Sequence, residues 1–364
     1  MRILYDLRYA SPHFTGIGTH AWQLLRALLE TREPAETWVL AWNPRERATR
    51  FDPELLRLAP GVEWLETDAP PLGLRAPLAT GALVRDACVD AYLSPFYLRP
   101  LGAGVPSVLT LHDAMHLAPE VGAPARVREL FRLALAFTAR AEAVVTSSEF
   151  SRTEIMRRTF LPAERLSVAP LGTPEREAGE ASRPAGVPEA PFALVVGGNR
   201  PHKNLRLLAR VWRESGAGAP LVLVSAGAVD GRFPGLEELG AGPRAVSLGG
   251  VAEAELRWLY AHATLLLFPT RYEGFGLPLL EAAAAGVPVL CSDLPVLRES
   301  GEDFARFLPL EDAAAWREAV VGLAADADAR AHMSAAGRAA AAARTYAACA
   351  DRVRAVVTRV VRAA

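Results

Sequence analysis

Residues 264–291 leave the chain few folds to choose from. Residues 264–268 and 287–291 are short apolar runs that read as buried strands. Between them, residues 279–285 are strong helix formers, Pro278 suits a first helical turn, and Gly286 sits where a C-terminal cap belongs. Two buried strands joined by one helix predict a parallel β-loop-α-β unit. The same alternation runs through the rest of the chain. In the first half the predicted strands are Arg2–Asp6, Thr37–Trp42, 62–65, Ala91–Ser94, 107–111, Ala143–Thr146 and 166–169. In the second half they are Phe192–Val196, 221–225 and 245–248, followed by the two runs already named. Such alternation predicts an α/β protein of two Rossmann-like, doubly wound parallel-sheet domains. The stretch GTPEREAGEASRPAGVPEAP has the Pro, Gly and Glu content of an exposed linker. The expected organisation is a first domain over 1–172, a linker over 173–191 and a second domain over 192–345, with a last helix over 346–364.

At 364 residues there is enough chain for two separate cores. A net charge of −1 gives no electrostatic case for binding nucleic acid. Cys88, Cys291 and Cys349 are far apart and form no metal or redox pattern, which points to a reducing compartment. The start reads as a strand rather than a signal peptide, and no run approaches the roughly 20 apolar residues a spanning helix needs. A cytoplasmic protein is expected.

Candidate chemistry gathers at the predicted loops. Glu273 precedes the helix of the central unit, and Glu281 lies on it after seven intervening residues. The amides of Gly274, Phe275 and Gly276, followed by Leu277, face the space ahead of that helix, where its dipole favours an anion. Carboxylates beside an anion site suit a ligand carrying hydroxyls as well as phosphates, because a carboxylate accepts hydrogen bonds from sugar or ribose hydroxyls. The plain alternative is a surface loop with a capping glutamate. After the strand Phe192–Val196, the segment Gly197-Gly198-Asn199-Arg200-Pro201-His202-Lys203-Asn204 sets two cations, Arg200 and Lys203, beside a glycine turn and a helix start near Leu205. That is a second anion site.

Gly16 and Gly18 lie in a loop over 7–18 ahead of a helix expected over 19–30. The displacement of these glycines from the first strand argues against a dinucleotide fingerprint, though their amides can still meet a phosphate. His112-Asp113 ends a strand at the edge where open α/β sheets bind ligands, although a histidine satisfied by a loop carbonyl would look the same. A helix over 126–140 is expected to turn Val127, Leu130, Leu133, Ala134 and Phe137 inward. Its arginines Arg126, Arg128 and Arg132 suit weak contact with anionic lipid or a phosphorylated acceptor, and plain solvation is the simpler reading. Asp326-Ala327-Asp328 reads as a helix cap rather than a metal site, so no metal ligands are assigned.

These motifs together resemble the retaining GT-B glycosyltransferases of family 4. Glu273 and Glu281 match that family's Glu-x7-Glu signature, in which the first glutamate contacts the donor sugar and the second holds the ribose. Arg200, Lys203 and Asn204 match its R-x-x-K-N segment, whose basic pair holds the donor pyrophosphate. By the same resemblance the Gly16–Gly18 loop lies over the diphosphate and His112 reaches the sugar. The turn at Gly250 and Val251 lies against the base, and the last helix crosses back to the first domain. The resemblance implies two domains facing across a cleft and front-face attack through an oxocarbenium-like state.

The function expected is therefore transfer of a hexose from a nucleotide diphosphate sugar to a hydroxyl acceptor. The cations would take the place of a divalent ion, and no cofactor is expected beyond the co-substrate. The first domain is similar to mannosyltransferases of bacterial surface polysaccharide assembly, which makes GDP-mannose the first donor to try. The acceptor, the linkage and the oligomeric state have no readable motif. A nucleotide-sugar epimerase on the same fold and a non-catalytic sugar-nucleotide binding protein are the alternatives.

Overall fold

A computed structural model describes residues 1–11, 15–45, 51, 53–57, 59–175 and 179–364. The chain divides into two compact units. The first comprises Met1–Leu117, Ala123–Pro174 and Thr345–Ala364, and the second comprises Ala118–Gly122 and Glu175–Arg344.

The first unit is built on seven parallel strands: β1 Arg2–Asp6, β2 Thr37–Trp42, β3 Val62–Glu66, β4 Ala91–Ser94, β5 Ser107–Thr110, β6 Ala143–Thr146 and β7 Leu166–Val168. Their order is β3-β2-β1-β4-β5-β6-β7. The order reverses between β1 and β4, so the carboxyl ends of these strands form the crevice where such sheets bind ligands. Its helices are α1 Thr15–Glu30, the single turn α2 Glu54–Arg57, α3 Ala76–Asp86, α4 Ala125–Thr138 and α5 Glu149–Arg158. Ser148 caps α5, its hydroxyl accepting from the Ser151 amide at 2.9 Å.

Two sequence expectations need correction here. The helix expected from residue 19 begins at Thr15, so Gly16 and Gly18 form its first turn rather than a loop. A side chain at Gly18 would sit 3.3 Å from the carbonyl oxygens of Tyr9 and Ser11. Glycine lets the helix start that close to the preceding turn. Residues 12–14 of the expected 7–18 loop lie outside the described residues. The second correction is α4, whose buried face is Phe131, Leu135 and Thr138. Leu130 and Leu133 are 51% and 57% exposed, and Val127 is exposed too. Both sets have helical spacing, but the aromatic ring decides between them. Phe131 packs edge-on against Tyr97 at 5.3 Å and against His116 at 5.1 Å. The Thr138 hydroxyl donates to the Tyr97 carbonyl at 2.7 Å. The helix is turned by about one residue, ~100°, from the expected orientation.

The second unit has six parallel strands: β8 Phe192–Val196, β9 Val222–Ala226, β10 Ala245–Ser247, β11 Leu265–Phe268, β12 Val289–Ser292 and β13 Ala305–Leu308, in the order β10-β9-β8-β11-β12-β13. Its helices are α6 Leu205–Ser215, α7 Glu253–His262, α8 Leu277–Ala285, α9 Pro295–Gly301, α10 Ala313–Ala325 and α11 Ala327–Ala343. Two indoles anchor the core while keeping their N–H groups satisfied. Trp212 donates to Leu221 O at 3.1 Å and Trp316 to Pro309 O at 2.8 Å. Within the proline- and glycine-rich segment, Ser182 N donates to Ala254 O, and Arg183 lies over the Trp258 ring of α7 at 5.4 Å. Asp326 caps α11, accepting from the Ala329 amide at 2.8 Å. The last helix, α12 Tyr346–Ala363, belongs to the first unit, where Arg354 donates to Leu28 O at 2.8 Å and pairs with Glu36. Among the described residues, no helix is long and apolar enough to cross a membrane.

Candidate active site

The second unit brings its two charged motifs together at the carboxyl edge of its sheet. β8 and β11 are neighbours there, so the loops that leave them start side by side. After β8 the chain makes a short 3-10 turn over Pro201–Lys203. Asn204 ends that turn in the left-handed region (φ 54°, ψ 37°), a conformation unusual outside glycine, and its side-chain Nδ2 donates to Leu310 O at 3.2 Å. The carbonyl of His202 accepts from the Arg271 amide at 2.7 Å and the Thr270 hydroxyl at 3.1 Å, which ties the turn to the loop after β11. Lys203 Nζ consequently lies 2.6 Å from Glu273 Oε1, with the two side chains only 21% and 15% exposed. The same ammonium sits 5.1 Å from the centre of the Phe268 ring, within range of its negative face.

Arg200 is exposed at the entrance to this turn. Beside it, Asn199 clamps the loop after β9: its amide donates to Asp230 O at 3.0 Å and Phe233 O at 2.6 Å, and its carbonyl oxygen accepts from Asp230 N at 2.7 Å. The Asp230 carboxyl is held down to about 2, first by its hydrogen bonds to Arg232 and with a smaller contribution from Arg200. Gly227 makes the clamp feasible, because a side chain on it would fall 2.2 Å from Gly197 O.

Helix α8 opens at Gly276, which adopts φ 96° and lies where a Cβ would be 2.8 Å from the Leu297 side chain. As the N-cap, Gly276 has no side chain with which to accept from the first amides. Glu281 stands one turn in, its Oε2 accepting from the Tyr260 hydroxyl of α7 at 2.7 Å. Gly250 and Val251 precede α7. This edge therefore offers cations, a helix N-terminus and two carboxylates, a set suited to a ligand with both phosphate and hydroxyl groups.

In the first unit, His112 follows β5, with its Nε2 3.2 Å from Pro95 O. Because a carbonyl only accepts, Nε2 carries the proton there. The hydroxyls of Thr146 and Ser147 donate to the His112 carbonyl, at 3.3 and 3.4 Å. The His20 ring of α1 meets the His112 ring edge-on at 5.0 Å, and neither nitrogen of His20 finds a partner among the described residues. Burial lowers His112 to about 4, the Pro95 hydrogen bond offsetting part of this. His20 is lowered well below its usual value, by burial first and then by His112. At the end of β1, Arg8 makes a two-point ion pair with Asp6 (2.7 and 2.6 Å), and Asp6 also accepts from Tyr92 at 2.6 Å.

The two imidazoles carry a consequence for stability. The unfolded chain protonates them near pH 6.5 and the native chain does so only well below that, so stability should fall as pH drops from about 6.5 toward 4. His20→Phe, which keeps a ring against His112, should lose less stability than wild type between about pH 7 and pH 4.5. Urea melts of both proteins at the two pH values measure it. Equal losses in the two proteins would mean that His20 does not resist protonation.

A family model described as Glycosyltransferase Family 4 matches residues 14–177, and one described as Glycosyl transferases group 1 matches residues 190–326. The chain carries a family 4 glycosyltransferase domain followed by a group 1 glycosyl transferase domain. It is 32% identical over 216 residues to the O-antigen chain mannosyltransferase B of Escherichia coli, covering 53% of this chain and 54% of that protein. It thus spans about half the length of that curated relative. Sucrose-phosphate synthase from Thermosynechococcus elongatus superposes with a TM-score of 0.72 at 17% identity, over 100% of both chains. The Anabaena protein HepE, solved with UDP-glucose, superposes with a TM-score of 0.68 at 19% identity, over 99% of this chain and 100% of that one. These are likenesses of fold, and the fold is GT-B.

Of the residues singled out by sequence, the structure joins Lys203 to Glu273 directly and sets Gly274, Phe275 and Gly276 at the start of α8. It keeps Asp326 and Asp328 at the start of α11. Several residues of the site carried no sequence signal of their own. Asn199, Thr270 and Tyr260 act through hydrogen bonds between segments that only the fold brings together. Phe268 looked like an ordinary strand residue.

Proposed function

We propose that the protein is a retaining glycosyltransferase that moves a hexose, with mannose the first candidate, from a nucleoside diphosphate sugar to a hydroxyl acceptor. The observation that supports this reading is the contact between Lys203 and Glu273, a cation suited to phosphate and a carboxylate suited to sugar hydroxyls 2.6 Å apart. In the reaction the bond from the anomeric carbon to the β-phosphate oxygen breaks, and the diphosphate departs with the electron pair. The acceptor oxygen bonds to the same face of that carbon, and its proton passes to the departing phosphate. Lys203, Arg200 and the α8 amides stabilise the charge that grows on the diphosphate. Glu273 orients the sugar hydroxyls, Glu281 holds the ribose, and His112 keeps the sugar contact that the family resemblance implies. Gly250 and Val251 are assigned to the base, and Gly16 and Gly18 to the diphosphate side.

Because two cations and a helix N-terminus already serve the leaving group, we infer that no divalent ion is needed. The likeness to an O-antigen mannosyltransferase makes GDP-mannose the first donor to test. A donor that binds only the native state raises its melting temperature, so a thermal-shift screen of UDP-, GDP- and TDP-sugars identifies the nucleotide. Transfer or donor hydrolysis should then persist in EDTA. Loss of activity on chelation, restored by manganese, would overturn metal independence. Epimerised donor without transfer would overturn the reaction, and donor binding with no turnover would leave a binding protein.

The α4 surface adds a location. Leu130, Leu133 and Val127 stand exposed among Arg126, Arg128 and Arg132, with Glu129 paired to Arg132. Phe160 is 99% exposed just beyond α5, and Arg165 ties this region to the end of α4 by donating to Ala139 O at 2.7 Å. Apolar side chains ringed by arginines match an anionic bilayer surface. The protein should sediment with vesicles containing phosphatidylglycerol and not with phosphatidylcholine alone, and Leu130→Ser with Leu133→Ser should weaken this about tenfold. Equal sedimentation of that variant would place the contact elsewhere.

A further inference from the structure

We propose that Tyr260 is a positioning residue for nucleotide recognition, acting by fixing the Glu281 carboxylate in the orientation that accepts the ribose hydroxyls. The proposal rests on the assignment of Glu281 to the ribose. A free glutamate samples several rotamers, and a carboxylate accepts two adjacent hydroxyls well only when its plane is held. Tyr260 supplies that restraint. Its hydroxyl donates to Glu281 Oε2 at 2.7 Å, a charge-assisted hydrogen bond. The phenol cannot easily move, because the side chain is only 1% exposed. It lies on α7 and the carboxylate on α8, so the bond also sets one helix against the other. α7 begins just after Gly250 and Val251, the turn assigned to the base. The turn assigned to the base thus leads into the helix that carries the brace for the ribose carboxylate near its end.

The competing view is that Tyr260 is a core residue that merely finds a nearby acceptor. A cycle of ligands separates the two. GDP or UDP, whichever raises the melting temperature more, is titrated by calorimetry beside its 2′,3′-dideoxy analogue into wild type, Tyr260→Phe, Glu281→Ala and the double variant. Tyr260→Phe should weaken the natural diphosphate five- to tenfold, weaken the dideoxy analogue less than twofold, and leave kcat at saturating donor within twofold. In the Glu281→Ala background, Tyr260→Phe should add nothing. If Tyr260→Phe weakens both ligands equally, or neither, while Glu281→Ala discriminates between them, the positioning role falls and the ribose assignment stands. If Glu281→Ala weakens both ligands equally, the ribose assignment itself falls. Tyr260→Phe keeps the buried ring, and a melting temperature matching wild type excludes general loosening as the cause of an affinity change.

Discussion

Lys203→Ala is expected to lower the transfer rate at least a hundredfold, about 2.7 kcal/mol of transition-state stabilisation. Two losses combine in this variant. The departing diphosphate loses the ammonium that would meet its growing charge. The Glu273 carboxylate, 15% exposed, also loses its cation at 2.6 Å and faces the diphosphate as a like charge. The second loss can be separated from the first. Lys203→Ala combined with Glu273→Gln removes the uncompensated charge, so donor binding should recover while the rate stays low. Lys203→Arg should recover more than Lys203→Met, because the stem over Phe268 alone supplies no charge. Initial rates and donor affinity for the four variants measure the effect. A Lys203→Ala rate within threefold of wild type would remove the diphosphate from this turn.

The pairing bears on how the donor enters. Lys203 is paired with Glu273 and lies against the Phe268 ring. On the proposed assignment a diphosphate bound at Lys203 would share or replace the carboxylate, and a sugar hydroxyl would give Glu273 a new donor. Arg200, exposed beside this turn, would on the same assignment add a second cation for the diphosphate.

What the sequence could and could not reveal follows from the reach of each signal. Buried parallel strands are near-continuous apolar runs, so β1, β2 and β8 are visible at their observed bounds. β13, an edge strand carrying Arg306 on a half-exposed face, lacks that run and was not anticipated. Gly286 was legible as the end of α8 because a left-handed cap favours glycine for a local reason. The facing of α4 was not legible, since two stripes of equal period compete and only the Phe131 contacts with Tyr97 and His116 choose between them. The start of α1 was misplaced because glycine is read as a helix breaker, while here Gly18 is needed for close approach to Tyr9 and Ser11. Within the site, charged motifs showed in the sequence because each sits on one short segment. The contacts that aim them do not, because they run between segments: His202 to Arg271, Asn199 to Asp230, Tyr260 to Glu281.

The two glutamates should fail in different ways. Glu281 is assigned to the ribose, which the donor and the bare nucleoside diphosphate share. Glu281→Ala should therefore weaken both ligands by a similar factor, about tenfold, with a smaller change in kcat, because a contact made equally before and during reaction contributes to binding alone. Glu273 is assigned to the sugar, which the bare diphosphate lacks. Glu273→Ala should leave diphosphate affinity unchanged or raise it, since the substitution frees Lys203 from its ion pair. Its kcat should fall at least a hundredfold, because a sugar that is no longer held loses alignment at the reacting carbon. Glu273→Gln should fall between, as an amide oxygen can still accept from a hydroxyl but carries no charge. Calorimetry with the bare diphosphate, beside kcat for each variant, gives the comparison. Loss of diphosphate binding in Glu273→Ala with none in Glu281→Ala would exchange the two roles. No change in either variant would make the carboxylates structural and move the donor away from α8.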